Sequence, residues 1–212
     1  MKNLIIVGAG GQGREVLNWA LNSIGYNKEY IIKGFIDDDL HALDDYNYNY
    51  KIIDKIKGYE PDKDEVFTVS IGLPKVKKEI VSYLKKRRAN FLNIIHNTAI
   101  IADNVDIGIG NIICPNVVIS ADAKLCDHIA INIGSTIGHD SVLSNYITIS
   151  SNCDITGNVK IDKSVFIGSN VTIIPQISIG KNAFLCAGST IMSNVPPNSK
   201  MLGLPAKNFN IK

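Results

Sequence analysis

A glycine-rich turn near the N-terminus carries the first residues whose types and spacing could do chemistry. Gly8, Gly10 and Gly13 follow a short apolar run, residues 4–7, and precede an amphipathic pattern typical of a helix. Glycines at such a turn let the backbone approach a phosphate, and the helix N-terminus offers free N–H groups and the positive end of its dipole. The turn therefore predicts a site for a phosphorylated ligand.

Two carboxylates, Asp37 and Asp38, lie at the end of the second predicted strand, where they could bind a ribose or a base. The usual meaning of the motif is an NAD(P) site, but a full dinucleotide site needs two mononucleotide-binding halves. The stretch that precedes the repeats described next leaves room for only one half. We therefore favour a single nucleotide, such as a nucleotide-sugar. A turn that only packs, with ordinary turn aspartates, is the alternative.

A period of six residues runs through the second half of the chain. Isoleucine or leucine occupies all seventeen positions from Ile95 to Ile191 taken in steps of six. Four residues after each stands a mostly small or β-branched residue, with Asn111 as the polar exception. This period is typical of a hexapeptide β-helix, in which three short strands make a coil and aliphatic side chains stack along the axis. The repeat predicts five to six coils.

The first part of the chain alternates strands with helices. Strands are predicted at residues 4–7, 31–37, 66–72 and 90–95, and residues 38–50 are predicted to form a loop. One helix follows the glycine-rich turn. The other begins at Pro74, with Val76, Ile80 and Leu84 as its buried stripe. This alternation predicts a parallel sheet with helices packed against it.

Two domains follow from these patterns: an α/β, Rossmann-like half domain at residues 1–94 and a β-helix at residues 95–212. The tail, residues 194–212, contains Pro196 and Pro197 and later Pro205. We expect an irregular segment or a short helix there that caps the open end of the β-helix, because repeat arrays need a cap.

The histidines and cysteines could in principle support metal or nucleophilic chemistry. His96, His128 and His139 fall at three different phases of the coil, so they are not expected to converge on zinc as a carbonic-anhydrase-like β-helix would require. Cys153 occupies a repeat position and is expected to pack inside, not to act as a nucleophile. Taken alone, a histidine such as His139, outside the stacking positions, is more often a surface residue.

Composition excludes some partners. The formal charge of +2 gives no reason to invoke nucleic acid. No apolar stretch reaches the length of a membrane span, and the N-terminal residues lack the cleavage region of a signal peptide. We expect a cytoplasmic protein.

The combination of Gly8–Glu15 (GAGGQGRE), Gly34–Asp39 (GFIDDD), the hexads and Gly203–Lys207 (GLPAK) resembles the NeuD/PglD-like bacterial sugar acyltransferases. The resemblance covers essentially the whole chain. It implies a left-handed β-helix enzyme that takes acetyl-CoA as co-substrate, needs no metal, and works as a homotrimer with active sites between subunits. It implies as acceptor the amine of a nucleotide-linked 4-amino-4,6-dideoxy sugar, made for a surface glycan or glycoprotein precursor.

The resemblance also assigns roles to single residues. His139 matches the catalytic base, Asp140 its acidic neighbour, and Gly157 a glycine whose backbone N–H faces the thioester carbonyl. The positions that match the pocket for the nucleotide-sugar are Gly8, Gly10, Gly11, Gln12, Gly13, Asp37, Asp38 and Asn132. The positions expected to contact acetyl-CoA are Thr148, Gly157, Ala187, Gly188 and Lys207.

Two positions depart from the family pattern. Relatives often have histidine where this chain has Gln12, and some have a second histidine nine residues after the catalytic one, where this chain has Thr148. The first change affects the phosphate or sugar contact, and the second affects how the acyl donor is held.

An amino-sugar is largely protonated at neutral pH, so amide formation needs a base, and histidine titrates in the right range. We expect direct attack of the amine on the thioester, with His139 as base and no acyl-enzyme. Two alternatives stay open at this point: O-acetylation of a sialic-acid-type sugar, and a non-catalytic protein that only binds nucleotide-sugars.

Overall fold

The computed structural model describes residues 1–209 and begins with a five-stranded parallel sheet flanked by two helices. Its elements are β1 (Lys2–Val7), α1 (Gly11–Leu21), β2 (Tyr30–Ile36), β3 (Ile52–Asp54), β4 (Glu65–Val69), α2 (Pro74–Lys86) and β5 (Asn90–Phe91). The strand order is β3-β2-β1-β4-β5, so β1 lies at the centre and the glycine-rich turn leaves from its carboxyl end. The predicted α/β class is confirmed. The short strand β3 was not predicted.

The chain then winds into a parallel β-helix of seventeen two-residue strands, three to a coil. Face 1 consists of β7 (Ile100–Ile101), β10 (Val118–Ile119), β13 (Thr136–Ile137), β16 (Asp154–Ile155), β19 (Thr172–Ile173) and β22 (Thr190–Ile191). Face 2 consists of β8 (Asp106–Ile107), β11 (Lys124–Leu125), β14 (Val142–Leu143), β17 (Lys160–Ile161) and β20 (Ser178–Ile179). Face 3 consists of β6 (Ile94–Ile95), β9 (Ile112–Ile113), β12 (Ala130–Ile131), β15 (Thr148–Ile149), β18 (Phe166–Ile167) and β21 (Phe184–Leu185). The predicted left-handed β-helix, and its five to six coils, are confirmed.

The second residue of each strand points inward and stacks on its equivalent in the next coil. Ile137 pairs with Ile155, and Ile155 with Ile173, and all three are fully buried. Asn111, the polar exception in the pattern, is also buried, and its side-chain oxygen accepts a hydrogen bond from the N–H of Ile129. The inward positions therefore form one continuous apolar column.

The edges between faces depend on a second period of six. Every sixth residue from Gly110 to Gly188 has a positive φ, between 57° and 71°. Asparagine, aspartate and glycine tolerate this left-handed conformation best, and they fill most of these positions. One such corner residue is Asp140, at φ 58°. A turn of this kind points the preceding side chain, His139, out from the edge between faces 1 and 2, where it is exposed.

The tail corrects the prediction of an irregular segment or short helix. Strands β23 (Lys200–Gly203) and β24 (Ala206–Asn208) form an antiparallel hairpin, and β23 pairs with β21 as a further parallel strand of face 3. The end of this face is therefore continued by backbone pairing. The part of the prediction that falls on residues 210–212 lies outside the described residues.

One of the two apolar clusters of the α/β part is continuous with the core of the β-helix. A single cluster of buried side chains runs from Leu4 and Val16 in the first part through Ile94 into the stacked isoleucines. The sheet ends at Phe91 and the first coil begins at Ile94. That residues 1–94 form an independent domain stays a prediction. Within residues 1–209, neither helix is long and apolar enough to span a membrane.

The buried stripe of helix α2 shares only Leu84 with the predicted one. Its buried residues are Pro74, Lys77, Val81 and Leu84, whereas Val76 is exposed. A stripe chosen by hydrophobicity excludes Lys77 because of its charge. Its ammonium reaches the β-helix and donates to the Thr148 hydroxyl at 2.8 Å and to the carbonyl oxygens of Ile147 at 3.1 Å and His128 at 3.4 Å.

Lys77 should make stability depend on pH in the alkaline range. Burial lowers the pKa of Lys77 from 10.5 to about 7. Between these values the unfolded chain binds a proton that the folded chain does not, so stability should rise with pH by up to about 1.4 kcal/mol per pH unit. Lys77→Met should lose this slope, and Lys86→Met, at an exposed position of the same helix, should keep it. Urea unfolding between pH 7 and 10 measures both; equal slopes for Lys77→Met and the wild type would contradict the prediction.

Candidate active site

The glycine-rich turn is shaped by close backbone packing. Gly8 has a φ of 97°, and a Cβ on Gly13 would lie 2.0 Å from the carbonyl oxygen of Gly8. Only glycine fits at either position. Helix α1 begins at Gly11 with no side-chain cap on Gly10 and no acid in its first turn. Its first N–H groups and the positive end of its dipole are therefore available to an anion.

The two aspartates after β2 accept hydrogen bonds from backbone N–H groups of neighbouring segments. The Asp37 carboxylate accepts hydrogen bonds from the N–H of Ala9 at 2.7 Å and of Asp39 at 3.0 Å. Asp38 is exposed and accepts from the N–H of Lys57 at 2.9 Å. Asp38 also lines a cavity of about 340 Å³ with Lys57 and Tyr83. The structure thus brings Asp37 to the turn, whereas Asp38 contacts the backbone of Lys57.

A groove next to the turn was missed by the sequence reasoning. A Cβ on Gly72 would lie 2.9 Å from the side-chain oxygen of Gln12, so the turn borders the segment that leads into α2. From there a groove of about 600 Å³ opens between the first turn of α2 and face 3. We call this the α2 groove and define it by Leu73, Pro74, Val76, Lys78, Phe166 and Phe184.

The far wall of the α2 groove is a pair of stacked aromatic rings. Phe166 and Phe184 are equivalent residues of neighbouring coils, with ring centroids 4.8 Å apart and planes 11° apart. Their separation in the sequence, one full coil, is a signal that could have found them, because two aromatic residues at outward positions of one face must lie side by side.

Asp140 holds the imidazole of His139 in the tautomer that can act as a base. Its Nδ1 lies 2.7 Å from a carboxylate oxygen of Asp140. A carboxylate only accepts hydrogen bonds, so Nδ1 carries the proton and Nε2 keeps its lone pair free. Both side chains are more than half exposed, at 62% and 53%. A substrate can therefore reach Nε2 from solvent.

Gly157 lies directly under the imidazole of His139. A Cβ on Gly157 would lie 2.5 Å from Nε2 and 2.7 Å from Cε1 of His139. The N–H of Asn158 donates to the carbonyl oxygen of His139 at 2.8 Å, which fixes the two coils in register. Within residues 1–209, the Gly157 N–H donates no hydrogen bond. A base and a free backbone donor are thus adjacent on one edge.

Gly157→Ala should displace the His139 imidazole without disturbing the fold, because residue 157 does not have a positive φ. A shift of this ring by about 1 Å is expected to lower kcat/KM by about 10²-fold. Steady-state turnover measures the loss, and Lys160→Ala, on the exposed strand that follows, serves as control. An alanine variant with wild-type turnover would show that the contact is unimportant for the reaction.

The other residues matched by resemblance lie elsewhere on the chain. Asn132, Ala187 and Gly188 lie on the edge between faces 3 and 1, and Gly188 has open space where a side chain would start. Asn132 donates to the carbonyl oxygen of Ile149 at 3.0 Å. Lys207 is exposed on β24. Of the predicted donor-binding residues, one chain alone therefore brings Gly157 to His139, but not Ala187, Gly188 or Lys207.

Thr148 corrects one expectation. The resemblance implies contact with acetyl-CoA, but only 2% of the surface of Thr148 is exposed and its hydroxyl accepts a hydrogen bond from Lys77. It also lies on face 3, half a coil from His139. The hydroxyl is occupied in holding α2, so this burial argues against direct contact with a ligand.

The remaining histidines and Cys153 occupy packing positions. His96 lies edge-on to Trp19, and His128 lies between Phe91 and Tyr146, where burial lowers the pKa of its ring to about 4. Burial also raises the pKa of Cys153, whose thiol is buried, so it is neither a thiolate nor accessible. Within residues 1–209, no three His, Cys, Asp or Glu side chains converge as a metal site would require.

Comparison with known proteins adds family matches for two regions. Residues 3–84 match the PglD N-terminal domain, and residues 158–193 match the bacterial transferase hexapeptide family, described as six repeats. The first match covers the glycine-rich turn, both aspartates and most of α2. The second covers the part of the β-helix that follows Gly157.

Three solved structures share the fold along the whole chain. The acetyltransferase domain of PglB from Neisseria gonorrhoeae, in complex with acetyl coenzyme A, has 24% identity, a TM-score of 0.87, and coverage of 98% of this chain and 99% of that one. WeeI from Acinetobacter baumannii has 25% identity, a TM-score of 0.86, and coverage of 99% and 100%. PerB from Caulobacter crescentus, in complex with CoA and GDP-perosamine, has 21% identity, a TM-score of 0.86, and coverage of 99% and 98%.

These matches confirm the resemblance drawn from the glycine-rich turn and the hexads. The α/β part and the β-helix occur in the same order in all three solved structures, over nearly their full lengths. The chain therefore joins a region that matches the PglD N-terminal domain to a region that matches bacterial transferase hexapeptide repeats.

Proposed function

We propose that this protein is an acetyl-CoA-dependent N-acetyltransferase that acts on the amine of a nucleotide-linked 4-amino-4,6-dideoxy sugar. The observation that carries the proposal is the arrangement at His139: a free Nε2, an Asp140 carboxylate on Nδ1, and Gly157 directly below the ring, with an N–H that donates no hydrogen bond within residues 1–209. A base beside a backbone donor is what acyl transfer to an amine needs.

The proposed reaction is a direct attack. The sugar amine gives its proton to Nε2 of His139 and bonds to the carbonyl carbon of the acetyl thioester. The Gly157 N–H stabilises the negative charge that develops on the carbonyl oxygen. The carbon–sulfur bond then breaks, the proton passes to the leaving sulfur, and the amide and CoA are released. No acyl-enzyme forms, which agrees with the burial of Cys153.

The nucleotide end is assigned to the PglD N-terminal domain. The uncapped start of α1 suits the diphosphate, with Gly8, Gly10, Gly11, Gln12 and Gly13 around it. Asp38 opens on the adjacent cavity, and Asp37 keeps the turn in shape. From the turn, the α2 groove gives the sugar a path along Gln12 and Leu73, with Phe166 and Phe184 as an apolar wall.

The separation of the α2 groove from His139 within one chain favours an assembly of several chains. Since the groove lies on face 3 and His139 on the edge between faces 1 and 2, we propose a homotrimer in which His139 of one subunit meets the groove of the next. Ala187, Gly188 and Lys207 would then line the path of acetyl-CoA between subunits. We place the enzyme in the cytoplasm, in the synthesis of a surface glycan or glycoprotein precursor.

Relatives support the choice of acceptor and donor. The solved structures include PglB from Neisseria gonorrhoeae with acetyl coenzyme A and PerB from Caulobacter crescentus with CoA and GDP-perosamine. Perosamine is an amino-sugar, and other structures of the same Caulobacter enzyme are described as perosamine N-acetyltransferase carrying a replaced histidine. These facts belong to those proteins, and they favour an amine acceptor on a nucleotide-sugar here.

The test is release of free thiol from acetyl-CoA across a panel of UDP-, dTDP- and GDP-linked 4-amino-4,6-dideoxy sugars. Turnover with one of them supports the proposal and names the substrate. Turnover only with a sialic-acid-type hydroxyl acceptor would move the assignment to O-acetylation. Tight binding of a nucleotide-sugar by calorimetry, with no thiol release from any acceptor, would indicate a non-catalytic binding protein.

A further inference from the structure

Lys77 is a buried lysine with no carboxylate partner among the described residues. It is 1% exposed, and its Nζ lies within hydrogen-bond distance of three acceptors, all on the β-helix: the Thr148 hydroxyl and the carbonyl oxygens of Ile147 and His128. A buried cation costs stability unless it is fully hydrogen bonded, and an apolar residue at this position would avoid that cost. Three directional bonds to three neighbouring acceptors instead fix the position of the helix that carries them.

The anchored helix is one wall of the α2 groove. Val76 and Lys78, on either side of Lys77, line the groove, whereas Lys77 itself points away from it into the β-helix. Thr148 pairs in register with Phe166, and Phe166 pairs with Phe184, so the anchor lies on the strand next to the opposite wall. The hydrogen bonds of Lys77 therefore set the distance between the two walls of the α2 groove.

The surroundings of Lys77 offer no carboxylate in contact with it within residues 1–209. The groups near it on packed elements are the His128 ring, whose pKa burial lowers to about 4, and Lys85 and Asp127, which act on that ring. Phe91 and Tyr146 enclose the same ring on both sides. The Lys77 ammonium thus faces hydrogen-bond acceptors and neutral rings, which suits a fixed anchor.

We infer that Lys77, through Thr148 and the two carbonyl oxygens, is a positioning residue that holds α2 at the spacing the acceptor sugar requires. The inference rests on the proposed function, because it assigns the α2 groove to the acceptor. It also explains why Thr148 is buried: its hydroxyl holds α2 in place, and α2 forms one wall of the groove assigned to the acceptor sugar.

The test compares Lys77→Met and Thr148→Val with Thr148→Ser, which keeps the hydroxyl, and with Lys86→Met as the matched lysine control. In the full-length protein, we expect Lys77→Met and Thr148→Val to raise the KM for the amino-sugar by about tenfold while kcat changes by less than about twofold. Thr148→Ser should restore the KM, and Lys86→Met should match the wild type. A structural role alone would not give this split between KM and kcat.

A second readout does not need turnover. Amide hydrogen exchange over residues 75–84 should be about tenfold faster in Lys77→Met and Thr148→Val than in the wild type, and unchanged in Lys86→Met. The inference is overturned if Lys77→Met and Thr148→Val keep both the wild-type exchange rate and the wild-type KM. It is also overturned if kcat and kcat/KM fall equally in these variants. If the wild type transfers acetyl to no acceptor, the proposed function fails, and unchanged exchange in both variants would then overturn the anchor itself.

Discussion

His139→Ala should lower kcat/KM for acetyl transfer by about 10²–10⁴-fold, the usual contribution of a positioned general base. The loss is expected because no other described side chain near Gly157 offers a free lone pair backed by a carboxylate. Substrate binding should persist, since the proposed nucleotide-sugar contacts lie in the region that matches the PglD N-terminal domain. The measurement is thiol release at saturating acetyl-CoA, with acceptor binding followed by calorimetry.

The chain provides a matched control for this variant. His41 also has its Nδ1 2.7 Å from an aspartate oxygen, of Asp44, and it is more exposed than His139. It lies in the loop after β2 and has no glycine beneath it. His41→Ala should therefore keep wild-type turnover. Unchanged activity in His139→Ala would remove the proposed base, whichever acceptor the enzyme uses.

Ile155→Asp should abolish folding. Ile155 is fully buried in the central column, between Ile137 and Ile173 of the neighbouring coils. An aspartate there would place an unpaired charge among apolar side chains, at a cost of several kcal/mol on top of the lost packing. That total is comparable with the ~5–15 kcal/mol by which most proteins are stable. We expect no soluble, folded product.

The control for this variant adds the same charge at an outward position of a strand. Ser178 is exposed on β20 and pairs in register with Lys160, so Ser178→Asp places its carboxylate in water beside a cation. Far-ultraviolet circular dichroism and soluble yield should match the wild type for Ser178→Asp. A soluble Ile155→Asp protein with the wild-type spectrum would contradict the buried column.

The β-helix was predictable because its signal is redundant. Isoleucine or leucine fills all seventeen positions of the first series, and one exception in the second series, Asn111, does not hide the pattern. The corner residues form a second period that could have been used as well, since Asp140, Asn152, Asn158 and Asn170 are all residues that tolerate a positive φ. The α/β elements carry the weaker signal of a single strand or helix each.

The errors have a common physical cause, which is contact between distant parts of the chain. Lys77 was missing from the predicted buried stripe because its acceptors lie far along the chain, on the β-helix. The tail was predicted as irregular, although β21 offers β23 a free edge to pair with. Strand β3 is three residues long and is stabilised by its pairing with β2. Local composition does not record any of these partners.

The site was predicted unevenly for the same reason. Resemblance assigned roles to His139, Asp140 and Gly157, and the structure brings the three together on one edge. The α2 groove was missed because its walls, Val76 and Phe166, come from distant parts of the chain. Thr148 was assigned to the donor from a relative's histidine, and only the position of α2 reveals its different partner.

The uninterrupted stack of coils fixes distances along the axis of the β-helix. Each coil adds one strand spacing, about 4.8 Å, along the axis. Ala187 lies two and two-thirds coils beyond His139, or ~13 Å along that axis. Whole coils can be inserted or removed between them without rotating either residue to another face, because the register repeats with every coil. The number of coils thus sets, in discrete steps, the distance from the edge that carries His139 to the end of the β-helix.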